Sequence, residues 1–456
     1  MTAFRSTAVL AAALLSACST PVAPPERAAR ADAETRAERP QNLILLIADG
    51  FGPASATMGR AAKGAPLAFD SLLVGSVETS ATDSRVTDSA ASATAYACGV
   101  KTYNGAIGMD ADGAPCTTIL ERAEAAGMST GLVATSRITH ATPASFAAHV
   151  PRRSQEAEIA EQMLASGVDL LLGGGAMFFS SREDGRDLLA GAVAAAPVAL
   201  ATPADLDGLD ALGDAPTVGL FATGHLDYEI DRDAGQPSLA TMTRRALDLL
   251  DAHAGDAGFF VMVEGSRIDH AGHGNDPAGH LHDILAYDAA VAEALRWAAA
   301  DGETLVVSTA DHETGGLSLG ADGVYAWDPA PLLAATMSAE RLARLDRERA
   351  GALMDAWGED APETADADLA ASTDALLRQA LGDAPDAQYE PETPRPVVHA
   401  RYTRLLSERA RVGWTTGGHT AVDVGLYAFG PGAERLSGAM PNDALGRRLR
   451  TILLGD

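Results

Sequence analysis

The stretch that decides the fold is LILLIADG at residues 43–50. Its six consecutive apolar residues show no polar alternation, which is typical of a strand buried on both faces of a parallel sheet. Asp49 and Gly50 end the run. Ligands of open α/β sheets bind outside the carboxyl ends of the strands, so Asp49 is a candidate site residue. An ordinary Asp-Gly turn is the alternative interpretation.

Further apolar runs and helical patterns alternate along the chain. The apolar runs fall at residues 131–135, 168–172, 259–263, 305–309 and 424–429, and the helical patterns at 117–126, 155–165, 239–252 and 281–300. This alternation predicts the α/β class, as a three-layer sandwich with a large, mostly parallel central sheet flanked by helices. Residues from about 320 to 410 contain helical patterns at 339–357 and 371–381 between Pro-rich loops, which indicates a helical insertion packed beside the sheet.

The composition excludes some classes of protein. The 456 residues are 47% hydrophobic, enough for a large core and too many for a disordered or fibrous chain. Lys and Arg number 34 against 62 Asp and Glu, so the formal net charge is −28. Nucleic acids require a basic surface, and we therefore expect no nucleic-acid partner. Clustered carboxylates can instead hold metal ions.

The N-terminus has the pattern of a bacterial lipoprotein signal peptide at residues 1–17. Arg5 is followed by an apolar stretch and by LSAC at residues 15–18, in which Cys18 would carry the lipid. Residues 18–40 have the composition of a polar linker. We expect a lipid anchor in a membrane of the bacterial periplasm or cell surface, and Ser19 favours the outer membrane. An ordinary secretory signal with an incidental cysteine is the alternative.

Two cysteines lie outside this N-terminal pattern. Cys98 and Cys116 are an even number of thiols in a chain expected to reach an oxidising compartment. A disulfide and two buried free thiols are both compatible with the sequence, because the sequence does not give the separation of the two Cα atoms.

Potential metal ligands gather where the predicted strands end. Each has a plainer interpretation as a turn or a solvated loop residue, but their joint placement predicts a site for divalent metal ions. The residues concerned are Asp49, Glu264, Asp269, His270, His273, Asp311, His312 and His419.

A helix start forms the second signal. Residues 87–95 read TDSAASATA, with Asp88 or Ser89 at the N-cap position. A serine at a helix N-terminus lies in the positive end of the helix dipole, which favours an oxyanion or a phosphate. A plain helix cap is the alternative.

These motifs together resemble those of the alkaline phosphatases, in the order in which that family carries them. The resemblance covers residues 42 to about 455, with the insertion matching least, and identifies residues 41–456 as an alkaline phosphatase-like catalytic domain. The motifs are LILLIADG at 43–50, TDSAA at 87–91, ATP at 141–143 with HVPRR at 149–153, EGSRIDHAGH at 264–273, TADH at 309–312 and GGHT at 417–420.

The resemblance implies two Zn²⁺ and one Mg²⁺ per chain. The zinc that activates the nucleophile would be bound by Asp49, Asp311 and His312. The other zinc, at the leaving oxygen, would be bound by Asp269, His273 and His419. Magnesium would be bound by Asp49, Thr142 and Glu264.

The resemblance also implies the catalytic roles. Ser89 would be the nucleophile, forming a phosphoserine, and Arg153 would bind two phosphate oxygens. Arg152 is adjacent, but the spacing from His149 favours Arg153. His270 would lie at the substrate phosphate, and His140 would lie behind the magnesium ligands. Some relatives have Asp and Lys at these two histidine positions, which leaves the identity of the third metal open.

The activity implied by the resemblance is hydrolysis of phosphate monoesters at alkaline pH, and a homodimer is compatible with it. A phosphodiesterase of the same superfamily is the first alternative, and an inactive metal-binding surface lipoprotein is the second. A sulfatase is disfavoured, because the Cys/Ser-x-Pro-x-Arg signature of that class is absent from the sequence.

Overall fold

The strand predicted at the start of the domain lies in the middle of a ten-stranded sheet. The computed structural model describes residues 39–190, 197–357, 362, 364–384 and 397–455. Cys18, the predicted signal peptide and nearly all of the predicted linker lie outside these residues. The strands are β1 (Asn42–Ala48), β2 (Leu73–Glu78), β3 (Ser129–Arg137), β4 (Leu170–Gly174), β5 (Val198–Leu200), β6 (Thr217–Leu220), β7 (Phe259–Gly265), β8 (Thr304–Thr309), β9 (Glu313–Thr314), β10 (Ser318–Leu319), β11 (Val412–Gly413), β12 (His419–Thr420), β13 (Val424–Phe429) and β14 (Gly438–Pro441).

The strand order of the large sheet is β14-β2-β13-β8-β1-β7-β3-β4-β6-β5. Every pair in it is parallel except the two made by β13, which runs antiparallel to β2 and β8. The sheet is therefore mostly parallel, as predicted. All seven residues of β1 are buried, which agrees with its uninterrupted apolar run.

Helices cover the sheet in two groups. One group, α1, α7 and α9, packs together, and its members α7 and α9 contact β7; the other, α2, α3, α4 and α14, packs together and reaches β3 and β7 through α3 and α4. This is the predicted sandwich. The helices are α1 (Pro53–Lys63), α2 (Ser89–Cys98), α3 (Ile119–Ala125), α4 (Ala141–Ala147), α5 (Glu156–Ala165), α6 (Pro203–Asp207), α7 (Leu239–Ala254), α8 (Arg267–His273), α9 (Pro277–Asp301), α10 (Ala330–Ala334), α11 (Ala339–Trp357), α12 (Ala365–Ala380), α13 (Val398–Ala410) and α14 (Asn442–Leu454).

The region from about 320 to 410 contains α10 to α13. Strand β10 lies just before this region and β11 just after it, and the two strands pair antiparallel. Helix α11 packs against α12 and α13, and α13 also contacts α9. Among the described helices, none is long and apolar enough to cross a bilayer.

Within the large sheet, the structure differs from the sequence prediction in four strands and in the burial of a fifth. Strands β2, β5, β6 and β14 were not predicted, because they are short or carry few large apolar residues. The run at β13 was predicted as a strand buried on both faces. Its residues instead alternate between buried and half-buried, as is common for antiparallel strands.

The two remaining cysteines are joined. Cys98 at the end of α2 forms a disulfide with Cys116, and their Cα atoms are 5.9 Å apart. The alternative of two free thiols is therefore wrong in this structure. The bond connects the far end of helix α2 to the loop before α3.

Candidate active site

Three adjacent strands bring carboxylates to one edge of the sheet. Ile47 of β1 is in register with Glu264 of β7 on one side and with Thr309 of β8 on the other. Asp49 and Asp311 each lie two residues beyond this level. The carboxyl ends of β1, β7 and β8 therefore meet at the predicted position of the site.

Gly50 allows the chain to turn beside the next motif. Its φ of 76° is in the left-handed region, and an added Cβ would lie 2.6 Å from the Cα of Asp269. Its N–H donates to Asp311 Oδ1 at 3.2 Å. A side chain at this position would push β1 away from the Asp269 helix.

Helix α2 brings Ser89 to the same place. Asp88 is the N-cap, and its Oδ1 accepts the Ala91 N–H at 2.9 Å. Ser89 is the first helical residue and is buried, with its Oγ 3.1 Å from His312 Nε2. Asp88 is therefore the helix cap. Its neighbour Ser89 supplies the hydroxyl that lies near the candidate metal ligands.

Three clusters of side chains could each hold a metal ion. Within each cluster, one ligand atom per residue lies within 4.8 Å of the others. The clusters are Asp269, His273 and His419; Asp49, Asp311 and His312; and Asp49, His140 and Glu264.

The Asp269 cluster has the hydrogen-bond pattern of a metal site. The Nδ1 atoms of His273 and His419 contact the carbonyl oxygens of Gly417 at 2.7 Å and Thr87 at 2.9 Å. Carbonyls only accept, so each Nδ1 carries the proton and each Nε2 has a free lone pair. The two Nε2 atoms are nevertheless 3.0 Å apart. Two lone pairs facing each other at this distance repel, and a cation bound by both nitrogens would remove that repulsion.

The distances in this cluster suit a tetrahedral ion. Asp269 lies 3.4 Å from His273 Nε2 and 3.6 Å from His419 Nε2. Ligand atoms about 2.0–2.2 Å from a tetrahedral zinc are about 3.3–3.6 Å from one another, which matches the two carboxylate distances, whereas the 3.0 Å between the two Nε2 atoms is shorter. The residues therefore fit zinc at this position.

The Asp49 and His312 cluster has the same properties. Thr314 Oγ1 donates its one proton to Asp269 at 2.5 Å, so it must accept from His312 Nδ1 at 3.2 Å. His312 Nε2 is thereby left with a lone pair, 3.5 Å from Asp49 and 3.2 Å from Asp311. Ser89 Oγ lies 3.1 Å from this nitrogen.

The third cluster offers mainly oxygen atoms. Asp49, Glu264 and Thr142 each have a buried side-chain oxygen with no hydrogen-bond partner. His140 Nε2 accepts from Arg153 Nη2 at 3.1 Å, so its Nδ1 carries the proton and points into the cluster as a donor. Oxygen ligands with a histidine donor behind them suit magnesium better than zinc.

The electrostatics of these clusters call for positive charge. Burial, followed by the charge of Asp311, raises the pKa of Asp49 well above its usual range. Burial raises the pKa of Glu264 to about 7. Burial and the neighbouring Asp269 raise the pKa of Asp311 to about 7. Divalent cations would stabilise the ionised carboxylates and reverse these shifts.

Arg153, rather than Arg152, lies beside the serine. Its Nη1 donates to Asp88 Oδ2 at 3.1 Å, which fixes the guanidinium at the N-terminus of α2. Arg152 is exposed. The spacing argument from His149 therefore selected the arginine that the structure places at the site.

His270 lies one layer behind these residues, in a group that the sequence analysis missed. Its ring centroid is 5.4 Å from that of His140 and 4.5 Å from that of His225. Arg267 donates to His270 Nδ1 at 2.9 Å and stacks on Tyr228. Arg267 lies inside the motif at 264–273 and could have been noticed there, whereas the loop that carries His225 has no local signal.

Similarity to known proteins agrees with the arrangement of these residues. The model of the alkaline phosphatase family matches residues 40–454. The chain belongs to the alkaline phosphatase family. It is therefore an enzyme of that family, and hydrolysis of phosphate monoesters is its activity.

Individual members of the family are similar over most of their length. The repressible alkaline phosphatase of Saccharomyces cerevisiae is 40% identical over 436 residues, covering 85% of this chain and 76% of the yeast protein. The cold-active alkaline phosphatase of a Shewanella species is 33% identical with a TM-score of 0.77, covering 90% of this chain and 99% of that structure. A variant of the TAB5 alkaline phosphatase, with Mg bound in its M3 site, is 29% identical with a TM-score of 0.67, covering 91% and 98%.

Proposed function

We propose that this alkaline phosphatase hydrolyses monoesters through a phosphoserine on Ser89, with two zinc ions and one magnesium ion per chain. One observation carries the proposal: Ser89 Oγ lies 3.1 Å from Nε2 of His312, which belongs to the Asp49–Asp311–His312 cluster. The ions would polarise the seryl oxygen, the leaving oxygen and the transferring phosphoryl group.

The hydroxyl of Ser89 is set for attack without a catalytic triad. In a triad the base histidine is oriented by a carboxylate, but Nδ1 of His312 contacts the hydroxyl of Thr314. His312 is therefore arranged as a metal ligand and not as a general base. Burial lowers the pKa of His312 well below its usual range, which keeps the lone pair available.

Arg153 binds the phosphoryl group while it remains anchored. One N–H of Nη1 is used by Asp88 and one N–H of Nη2 by His140. Each nitrogen carries a second N–H, so two donors remain for phosphoryl oxygens. The anchors hold this fork at the N-terminus of α2, where the helix dipole also favours the phosphate.

The reaction proceeds in two displacements at phosphorus. Ser89 Oγ gives up its proton to solvent and forms a bond to phosphorus, the bond to the alcohol oxygen breaks, and the alcohol takes up a proton from water. The alcohol departs on the side of Asp269, His273 and His419, opposite the serine. Water then attacks the phosphoserine from that side, the bond to Ser89 Oγ breaks, and the serine regains its proton as phosphate leaves.

The donor atoms support the choice of metals. Two clusters combine imidazole nitrogen with carboxylate oxygen, a combination that zinc prefers, and the third offers oxygen atoms from Asp49, Glu264 and Thr142. The TAB5 alkaline phosphatase with Mg bound in its M3 site is a variant in which a histidine is replaced by aspartate, in keeping with the preference of magnesium for oxygen ligands. His140 also faces this third cluster, with a buried Nδ1 that has no hydrogen-bond partner.

A comparison of two substrates tests the proposal. The zinc- and magnesium-loaded enzyme should hydrolyse p-nitrophenyl phosphate, with an optimum at alkaline pH, far faster than bis-p-nitrophenyl phosphate. Chelator should abolish both rates, and zinc plus magnesium should restore them. Preference for the diester would favour a phosphodiesterase, and no turnover of either would favour an inactive metal-binding protein.

We also propose that the enzyme is a lipoprotein, anchored through Cys18 to a membrane that faces the periplasm or the cell exterior, with the outer membrane favoured by Ser19. The signal pattern at residues 1–17 supports this. Globomycin should cause the precursor to accumulate, and Cys18→Ala should release the protein from membranes. Normal processing in the presence of globomycin would instead indicate an ordinary secretory signal.

The family resemblance supports a homodimer as the assembly state. Light scattering coupled to size exclusion should give twice the mass of the mature chain. A monomer mass at micromolar concentration would contradict this.

A further inference from the structure

A turn at Asn104 and Gly105 lies against the chain that leads into helix α2. The Ala106 N–H donates to the Tyr103 carbonyl at 3.2 Å, which closes the turn. Gly105 has a φ of 90°, the positive value that the third residue of a type II turn requires. The half-buried side chain of Asn104 extends from this turn to residues 86–88.

The amide of Asn104 spans Thr87. Its Nδ2 donates to the Val86 carbonyl at 3.0 Å, and its Oδ1 accepts the Asp88 N–H at 2.8 Å. A carbonyl only accepts and an N–H only donates, so these partners fix which amide atom is the oxygen and which is the nitrogen. The two bonds hold the backbone on both sides of the buried Thr87.

The segment held in this way contacts two residues of the site. The Thr87 carbonyl accepts from His419 Nδ1 at 2.9 Å, so the position of this carbonyl sets the direction of the His419 ring. Asp88 caps α2 through Oδ1 and accepts from Arg153 Nη1 through Oδ2. A shift of residues 86–88 would therefore move the N-terminus of α2, the Arg153 guanidinium and the His419 ring together.

The same turn also holds the backbone of Arg153. The Gly105 carbonyl accepts the Arg153 N–H at 2.8 Å. Beside it, Ile107 and Val150 exchange two backbone hydrogen bonds of 3.0 Å. The turn thus contacts both the chain before α2 and the chain that carries Arg153, and it sets the distance between them.

We propose that Asn104 is a positioning residue for phosphoryl transfer, because its amide holds residues 86–88 where the nucleophile, the phosphate-binding arginine and the leaving-group histidine converge. The proposal rests on the phosphomonoesterase function above. The amide acts through the backbone of Val86 and Asp88 and not on the reacting atoms. A displacement of about 1 Å in catalytic groups can lower a rate about a hundredfold, so the loss of these two hydrogen bonds should be measurable.

Truncation of the amide tests this. In the zinc- and magnesium-loaded enzyme, Asn104→Ala should lower kcat for p-nitrophenyl phosphate about tenfold per zinc-loaded centre, with little change in KM, because alignment at phosphorus is lost while the substrate still binds. The isosteric Asn104→Asp keeps an acceptor for the Asp88 N–H, so its kcat should lie between those of Asn104→Ala and the wild type. In the Arg153→Ala background, Asn104→Ala should cost only about threefold, because the arginine that Asn104 positions is already absent.

Tyr103→Phe is the matched control in the same turn. The Tyr103 hydroxyl donates to the Pro151 carbonyl at 3.4 Å, a partner outside residues 86–88, so kcat should stay at the wild-type value. Asn104→Asp also keeps the test available if the alanine variant does not fold.

Three results would overturn the positioning role alone. The first is a wild-type kcat in both Asn104→Ala and Asn104→Asp, and the second is a pair of losses that multiply fully in the double variant with Arg153→Ala. The third is a lower zinc content with unchanged kcat per zinc-loaded centre, which would show a purely structural role. A wild-type holoenzyme without activity toward p-nitrophenyl phosphate would instead overturn the proposed function and this inference together.

Discussion

At the scale of single residues, the environment of Ser89 leads to the first prediction. Ser89→Ala should lower kcat by about a thousandfold or more and abolish the phosphoenzyme, because the nucleophile is lost while the metal ligands remain. Turnover by positioned water should persist at a low level. Rapid quench with radiolabelled substrate measures the phosphoenzyme. Zinc analysis of the purified variant shows whether the metal ligands still bind the ion.

A second serine on the same helix gives the control. Ser92 Oγ accepts from Asn442 Nδ2 at 3.1 Å and is buried away from the clusters, so Ser92→Ala should affect stability more than turnover. Wild-type activity in Ser89→Ala would show that another group is the nucleophile.

His270 leads to the second prediction at this scale. Burial, followed by the charge of Arg267, lowers the pKa of His270 well below its usual range, so the ring is neutral at alkaline pH. His270→Lys should place a charge near the phosphate, tighten competitive inhibition by inorganic phosphate about fivefold, and lower the pH optimum by slowing product release. Inhibition constants measured across pH 7–11 check this.

The neutral substitution separates charge from geometry. His270→Gln keeps an acceptor for Arg267 and adds no charge, so its phosphate inhibition constant should stay near the wild-type value. Equal inhibition constants in His270→Lys and the wild type, with the same pH profile, would place His270 outside the phosphate site.

At the scale of secondary-structure elements, the junction of α3 and β3 gives a pH-dependent prediction far from the metal clusters. Thr130 donates to Glu124, and burial raises the pKa of this carboxyl to about 7 from a usual 4.5. Between these two values the folded chain holds a proton that the unfolded chain has lost. Stability should therefore fall as pH rises from about 5 to 7 and be level above that range.

Substitution of Glu124 tests this sign. Glu124→Gln keeps an acceptor for Thr130 and cannot ionise, so its Tm should fall less between pH 5 and 8, by about 1 °C for a half-exposed group in a chain of this size. Differential scanning calorimetry of the metal-loaded protein measures it. Glu183→Gln, at an exposed position, is the control, and a steeper fall in Glu124→Gln than in the wild type would refute the argument.

At the scale of the whole molecule, the metal clusters connect distant parts of the chain. Asp269 and His419 are brought together by α8 and β12, and β12 pairs with β9, which follows Asp311 and His312. Ions bound between such elements stabilise only the folded state. Chelation should therefore remove activity and lower the Tm by about 5 °C or more.

Recovery of both properties provides the check. Zinc and magnesium together should restore the Tm and the turnover of p-nitrophenyl phosphate, and magnesium alone should restore neither. An unchanged Tm after removal of metal, confirmed by elemental analysis, would contradict a structural and catalytic metal centre.

The sequence by itself determined the sheet core and the identity of most site residues. Uninterrupted apolar runs specify strands buried on both faces, because no polar residue can be placed there without a partner. The residues that follow such strands in a parallel sheet share one edge. Asp49, Glu264 and Asp311 could therefore be grouped before any coordinates were considered.

Only the tertiary structure decided the contacts between side chains that are remote in the chain. The tautomers of His273, His312 and His419 depend on carbonyl and hydroxyl partners at Gly417, Thr314 and Thr87, and these partners come together only through the sheet and its loops. The same holds for the Cys98–Cys116 bond. The reason is physical: hydrogen-bond direction and interatomic distance are set by packing, whereas periodicity in the sequence reports only which face of an element is buried.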